Sequence, residues 1–346
     1  MAKSMLNGMV LRGVVSCVPE KEVFNDRDYP WFEPLEIRKV TGMAGVKSHR
    51  MADEKTCTSD LCHAAGRKLI DLLGWEAGSI DGLILISPTP DYVMPPTSCL
   101  LQDWLHLSED CACFDVGLGC SAYVYGLWLA NSLISTRACR RILLFAGDTA
   151  SKYVNPKDRT TALLFGDAAT ATALEFTEDS ASSAHYILKT DGSGWRDLIV
   201  PGGGFRDRRP EDSSQCFLSM DGARIFDFTR FRVPELIRQT LDFSGLEAAS
   251  YDSFIFHQAN EYLIKFIASK SGIDMKKVPV RLSEFGNTNA ASIPLTLAVS
   301  GVPAGSQDPF RVMLLGFGVG LSWASASISI PASSIFHHFI FQAKAS

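Results

Sequence analysis

The chain has 346 residues, 46% of them hydrophobic and 21% charged, with a formal net charge of -5 at pH 7. That is ordinary globular composition, long enough for one large core or two fused half-domains. The acidic balance counts against a nucleic-acid-binding protein, whose phosphate contacts bring a basic excess, and no run approaches the roughly 18 apolar residues of a membrane span.

Residues 1–19 hold a short apolar run broken by Asn7, Gly8 and Arg12, a poor leader and a reasonable first strand, Val10–Val15. Ser59–Leu73 has helical periodicity, with Ser59 or Asp60 as the predicted N-cap. Gly82–Ser87 and Ile142–Ala146 are continuous apolar runs, as expected for strands covered on both faces. Ala168–Phe176 alternates small and apolar residues and closes a first half. The plan then recurs. Tyr186–Lys189 reads as a strand leading into an Asp191–Gly194 turn, and Phe228–Leu241 as a helix. Ser253–Phe256 is a short strand, Asn260–Ser271 a helix, Val312–Leu315 a buried strand and Leu321–Ile330 a closing strand. The similar strand spacing in the two halves predicts an α/β duplication with an internal pseudo-two-fold. Its parts are 1–176, 177–330 and a tail, 331–346, too short to span a bilayer and expected on the surface or partly disordered. Pro201–Ser214, rich in Gly, Pro and charge, reads as a surface loop, and its length fits an excursion near a substrate entrance no better than a plain solvated loop.

The nine cysteines are scattered without a pairing pattern, which fits free thiols in a reducing intracellular setting. Cys111 and Cys113 lack a second ligand cluster, so they read as buried strand or loop rather than as a zinc site. Cys120 differs in context. It follows a strand-like Phe114–Val116 and a turn containing Gly117 and Gly119, and it opens an apolar helical segment, Ser121–Ile134. A cysteine at a helix N-terminus is expected to have a lowered pKa and thiolate character. His257 lies between a short strand and a helix, Asn287 in a Gly-Asn turn, and Gly316–Gly320 forms a glycine loop whose N–H groups can face an oxyanion. Taken singly, these residues fit equally a small buried cysteine, a structural histidine and a turn asparagine. Together they form a Cys, His, Asn set at strand ends and helix starts, where open α/β folds build sites.

The constellation resembles the β-ketoacyl-acyl-carrier-protein synthase III family of the thiolase superfamily. The resemblance runs over roughly residues 8–330 and includes TSDLCHAAGRKLI (58–70), DVGLGCSAYVYGL (115–127), FGDAA (165–169), DGSGW (191–195), SMDGARIF (219–226), HQAN (257–260), GNTNAASIP (286–294) and GFGVGLSW (316–323). It implies a five-layered αβαβα thiolase fold. In that family's chemistry Cys120 takes an acyl group from acyl-CoA, and the backbone N–H groups of Cys120 and Val319 hold the oxyanion. His257 and Asn287 then stabilise the enolate formed when a malonyl thioester loses CO2. The resemblance implies no metal and no redox cofactor, CoA or carrier phosphopantetheine arriving only as part of the substrates, and a cytoplasmic homodimer, with an acyl carrier protein as an open partner. Arg159 matches an arginine at the CoA mouth. Met94 stands where a phenylalanine reaches into the partner's acyl pocket, and its flexibility suggests a primer larger than acetyl. Gly318 belongs to the oxyanion loop.

Entrance charges depart from the family pattern: Tyr262 and Asp227 stand at positions that are commonly basic. Lys265, Lys270 and Arg230 are candidates to compensate, and no counterpart of the adenine-stacking tryptophan registers within 31–50. Two other readings stand beside this one. In one, the acyl group passes from Cys120 to an alcohol, amine or other nucleophile, with His257 as general base. In the other, the chain is a non-catalytic partner of a heterodimer, which predicts loss of the nucleophile or of the His/Asn pair.

Overall fold

The computed structural model describes residues 2–179, 183–303, 306 and 309–342. In chain order it begins with β1 (Ala2–Leu6), β2 (Met9–Pro19), β3 (Glu22–Phe24), α1 (Pro34–Ala44), β4 (Ser48–Arg50) and α2 (Thr58–Leu73). Then come β5 (Gly82–Ile86), α3 (Thr97–Trp104), β6 (Ala112–Val116), α4 (Ala122–Ser135), β7 (Arg141–Asp148), α5 (Arg159–Ala162) and β8 (Ala168–Phe176). The second half brings β9 (Ala184–Thr190), β10 (Leu198–Ile199), β11 (Ser219–Met220), α6 (Gly222–Ser244), β12 (Ser253–Phe256) and α7 (Glu261–Lys270). It closes with α8 (Leu282–Phe285), α9 (Ser292–Ser300), β13 (Phe310–Gly318), β14 (Ser322–Ile330) and β15 (Ile335–Phe341).

The expected elements are present, mostly longer than their apolar cores suggested. The start of α2 is corrected: Cys57 is the N-cap, and Asp60, three residues on, returns its carboxylate to the Cys57 N–H at 2.7 Å. The tail is corrected too. Rather than lying loosely on the surface, Ile335–Phe341 adds a parallel strand beside β2, because its apolar residues on both faces, Phe336 on one and Phe339 and Phe341 on the other, extend the sheet's packing at that edge. Residues 343–346 of the tail lie outside the described residues.

Two sheets carry the fold. The first has the order β15-β2-β8-β7-β5-β6 and the second β1-β9-β14-β13-β12. The run β2-β8-β7-β5 matches β9-β14-β13-β12 in order and in direction: antiparallel, antiparallel, then parallel. The register agrees as well, with Gly82 beside Ile142 in one half and Ser253 beside Val312 in the other. This is the physical content of the duplication read from spacing. The strands at the chain's ends cross over, since β1 joins the second sheet and β15 the first.

α4 and α9 lie between the sheets and touch strands of both. Buried on all sides, they are apolar around most of their circumference: residues Ser292 to Ala298 of α9 are all buried. α2 and α3 cover the outside of the first sheet, α6 and α7 the outside of the second, giving five layers, αβαβα. Among the described residues no helix is long and apolar enough to cross a membrane.

Candidate active site

Cys120 sits between β6 and α4, 6% exposed, in a turn where the Ala122 N–H donates to the Gly119 carbonyl at 2.9 Å. The glycine loop at the end of β13 closes over it. A Cβ on Gly316 would lie 2.7 Å from the Ser121 Cα, and one on Gly318, whose φ is +151°, only 2.6 Å from the Cys120 sulfur. Only glycine lets the loop approach this closely. Burial pushes the Cys120 thiol up to about 11, against the opposing pull of hydrogen bonds from the backbone N–H groups of Val319 and Cys120, with the Asp148 charge adding to the rise. The expected thiolate is therefore corrected. Enclosure of the sulfur outweighs the helix dipole, and the resting group is a thiol. The two N–H groups expected to form an oxyanion hole nevertheless converge on that sulfur.

His257 follows β12 and is anchored by its own N–H, which donates to the Leu315 carbonyl at 2.7 Å. Its ring stands edge-on to Phe317, with centroids 5.5 Å apart, and its Nδ1 is 2.7 Å from the Ser292 Oγ. The Gln258 N–H also donates to that hydroxyl oxygen, at 3.4 Å. The hydroxyl proton is then available to Nδ1, which leaves the ring proton on Nε2. Burial pushes the imidazole pKa down to about 3, so the ring is a neutral donor.

Asn287 is held by the first half of the chain. Its N–H donates to the Leu164 carbonyl at 2.8 Å, and its own carbonyl accepts from the Gly166 N–H at 3.1 Å. Its Oδ1 accepts from the Asn289 N–H at 2.9 Å, so the donor left over is Nδ2.

The residue that joins these groups is one the sequence reading passed over. Asn289 accepts from the Cys120 thiol at 3.2 Å, donates its backbone N–H to Asn287, and makes a backbone hydrogen bond with His257. Its Nδ2 is bound to Asp148 and, at 3.1 Å, to the Tyr153 hydroxyl. The signal was present: a second Asn two places after the first in GNTN, at a left-handed position with φ +49°, where Asn is one of the few tolerated residues. Cys120, His257 and Asn287 thus come from distant parts of the chain to border a single residue, the first at its side chain and the other two at its backbone.

The family model for 3-oxoacyl-[acyl-carrier-protein (ACP)] synthase III matches residues 114–192, and the model of its C-terminal domain matches 241–330. A putative 3-oxoacyl-[acyl-carrier-protein] synthase 3 of Campylobacter jejuni is 33% identical over 343 residues, covering 94% of this chain and 95% of that protein. The chain belongs to the 3-oxoacyl-[acyl-carrier-protein] synthase III family. It is an acyltransferase with the thiolase fold, as expected. A crystal structure of a 3-oxoacyl-(acyl-carrier protein) synthase from Burkholderia xenovorans superimposes with a TM-score of 0.94 at 44% identity, covering 98% of this chain and 99% of that one. The priming β-ketosynthase of the R1128 polyketide pathway superimposes with a TM-score of 0.86 at 25% identity, covering 94% and 97%.

The other residues singled out within this family frame lie nearer the surface. Arg159, at the start of α5, forms an ion pair with Glu36 of α1. Both line a cleft of about 590 Å³ together with Trp31, an indole 55% exposed that sequence reading left unassigned. Met94 is 78% exposed in an apolar run with Tyr92 and Val93. Tyr262 is exposed in the first turn of α7 and stacks on Phe226. Lys270 is exposed at the far end of that helix, about nine residues or 13 Å along the axis from its start. Lys265 and Arg230 are ion-paired with Glu261 and Asp227 on their own helices. The 201–214 loop folds back on itself, the Gly202 N–H donating to the Gln215 carbonyl and the Gly203 N–H to the Asp207 carbonyl, both at 2.8 Å.

Proposed function

We propose that this enzyme transfers an acyl group from an acyl thioester to Cys120 and condenses it with a malonyl thioester, releasing CO2 and a β-ketoacyl thioester. The observation that carries the proposal is the convergence of Cys120, His257 and Asn287 on Asn289, with the Val319 and Cys120 N–H groups at the sulfur. Those N–H groups stabilise the oxyanion formed when the Cys120 sulfur attacks the thioester carbonyl; the donor's C–S bond then breaks, and its sulfur leaves as a free thiol bearing the proton that Cys120 gave up. After acylation, the His257 Nε2–H and the Asn287 Nδ2–H donate to the malonyl thioester oxygen as CO2 leaves. The enolate carbon then attacks the acyl-Cys carbonyl, and the sulfur departs as thiolate. Burial keeps water from hydrolysing the acyl-enzyme.

Transfer to an alcohol or amine needs His257 as a base. An imidazole held neutral down to about pH 3 is a weak one, which favours the decarboxylative route. The exposed indole of Trp31 beside Arg159 supports a CoA nucleotide at the rim, the planar base stacking on the indole. The ion-paired cations near Tyr262 offer little free charge to an acidic carrier protein, and Lys270 is the lysine on that helix best placed to contribute. The exposed Tyr92–Met94 run and the half-exposed edge strand β6 support a homodimer, whose second copy would cover them and set the primer length through Met94.

The test is an acyl-CoA panel from acetyl to decanoyl, read by intact mass, followed by malonyl-CoA or malonyl-carrier protein with CO2 measured. A single adduct on Cys120, absent in Cys120→Ala, and acyl-dependent CO2 release are expected. An adduct without CO2 release moves the assignment to a non-malonyl acceptor. Absence of any adduct ends the acyl-enzyme reading.

A further inference from the structure

Behind Cys120 lies a buried polar cluster that the condensation chemistry does not call upon. The Asp148 carboxylate, at the end of β7, accepts from the Thr89 hydroxyl at 3.0 Å, from the Tyr153 hydroxyl at 3.1 Å and from the Asn289 amide. Tyr153 also accepts from that amide. Both acceptors grip Nδ2: above the raised Asp148 pKa of about 7 the carboxyl is ionised, and turning the amide would set its oxygen against that carboxylate and against a Tyr153 oxygen whose proton is already given to Asp148. Its Oδ1 must therefore face the sulfur, and the thiol donates to it at 3.2 Å. An amide oxygen fixed at that distance favours S–H and disfavours S⁻.

We propose that Asn289 is a positioning residue whose locked amide holds the resting Cys120 protonated and fixed in place. The proposal rests on Cys120 being the acyl carrier. It assigns the Asp148–Tyr153–Asn289 cluster the task of withholding the nucleophile from adventitious electrophiles. The titratable groups that face the thiol are Asp148, Tyr153 and, across Asn289, His257.

The test is alkylation of the whole protein by iodoacetamide between pH 7 and 10, with Cys120 followed by peptide mass and the exposed Cys99 and Cys216 as internal references. Asn289→Gly keeps the left-handed backbone and removes the amide. Its Cys120 is expected to alkylate about three- to tenfold faster at pH 7.5, on a profile displaced to lower pH, with Cys99 and Cys216 unchanged. A profile that superimposes on wild type, or moves to higher pH, overturns the proposal. Tyr153→Phe loosens one of the two grips on Nδ2 and decides the matter if Asn289→Gly does not fold by circular dichroism. A smaller displacement of the same sign supports the proposal, and none overturns it. This readout needs no acyl donor, so its failure is distinct from failure of the wild type to form an acyl adduct.

Discussion

Asn287 forms an isolated parallel bridge with Phe165, so a carboxamide from the second half is pinned by backbone hydrogen bonds to the first. His257 is anchored separately, to Leu315 within the second sheet. The two proposed enolate donors are thus set by different parts of the fold, while the proposed nucleophile is set by a third.

That division predicts separable half-reactions. Asn287→Ala and His257→Ala should still form the acyl adduct, yet lose about 10²- to 10³-fold in malonyl decarboxylation, the usual effect of removing one preorganised donor. Intact mass reports the first step and CO2 release the second. Equal loss of both steps would show that these residues act on acylation.

The approach of the glycine loop predicts that Gly318→Ala is severe. The added methyl would sit 2.6 Å from the sulfur at a φ that L-residues rarely adopt. A loss of about 1–3 kcal/mol in urea unfolding is expected, together with loss of the adduct. Wild-type acylation by this variant would place the loop farther from Cys120.

The buried imidazole of His257 predicts a specific dependence of stability on pH. Its folded pKa, about 3, lies below the ordinary 6.5. Below pH 6.5 the unfolded chain binds a proton that the folded one refuses. Stability contributed by the neutral ring is present above pH 6.5 and is lost as pH falls toward 3, at about 1.4 kcal/mol per pH unit. Asp148 and Asp167, raised by burial to about 7 and about 6, act with the opposite sign. Their contributions cancel when wild type is compared with His257→Gln. Between pH 6 and 4.5 the unfolding free energies should shift in favour of the variant at that slope. A constant difference would mean that His257 is open to water.

The tail strand predicts a stability role. Phe336 packs on the central core, and Phe339 and Phe341 pack against the α2 side of the first sheet. Deleting residues 332–346 would uncover these contacts and the edge of β2. The melting temperature should fall by roughly 5 °C. An unchanged melt would show that β15 adds no net stability.

Much of this molecule could be read along the chain. Continuous apolar runs such as Gly82–Ile86 have one stable environment, a strand covered on both faces, and the repeat of that pattern disclosed the duplication. Cys120, His257 and Asn287 were legible as a candidate set, because each follows a strand or turn where open α/β folds place chemistry and because the motifs around them resemble one family. Three matters were decided only by tertiary structure. The charge state of Cys120 depends on how completely the Gly316–Gly320 loop and Asp148 enclose it, and enclosure reversed the expectation drawn from the helix end. The tail became a strand because a free sheet edge was waiting for it. Asn289 was passed over because its role consists of contacts, with partners that lie far from it along the chain. Periodicity and turn chemistry are local and survive in one dimension. Burial, and the packing of groups distant in sequence, are properties of the folded volume.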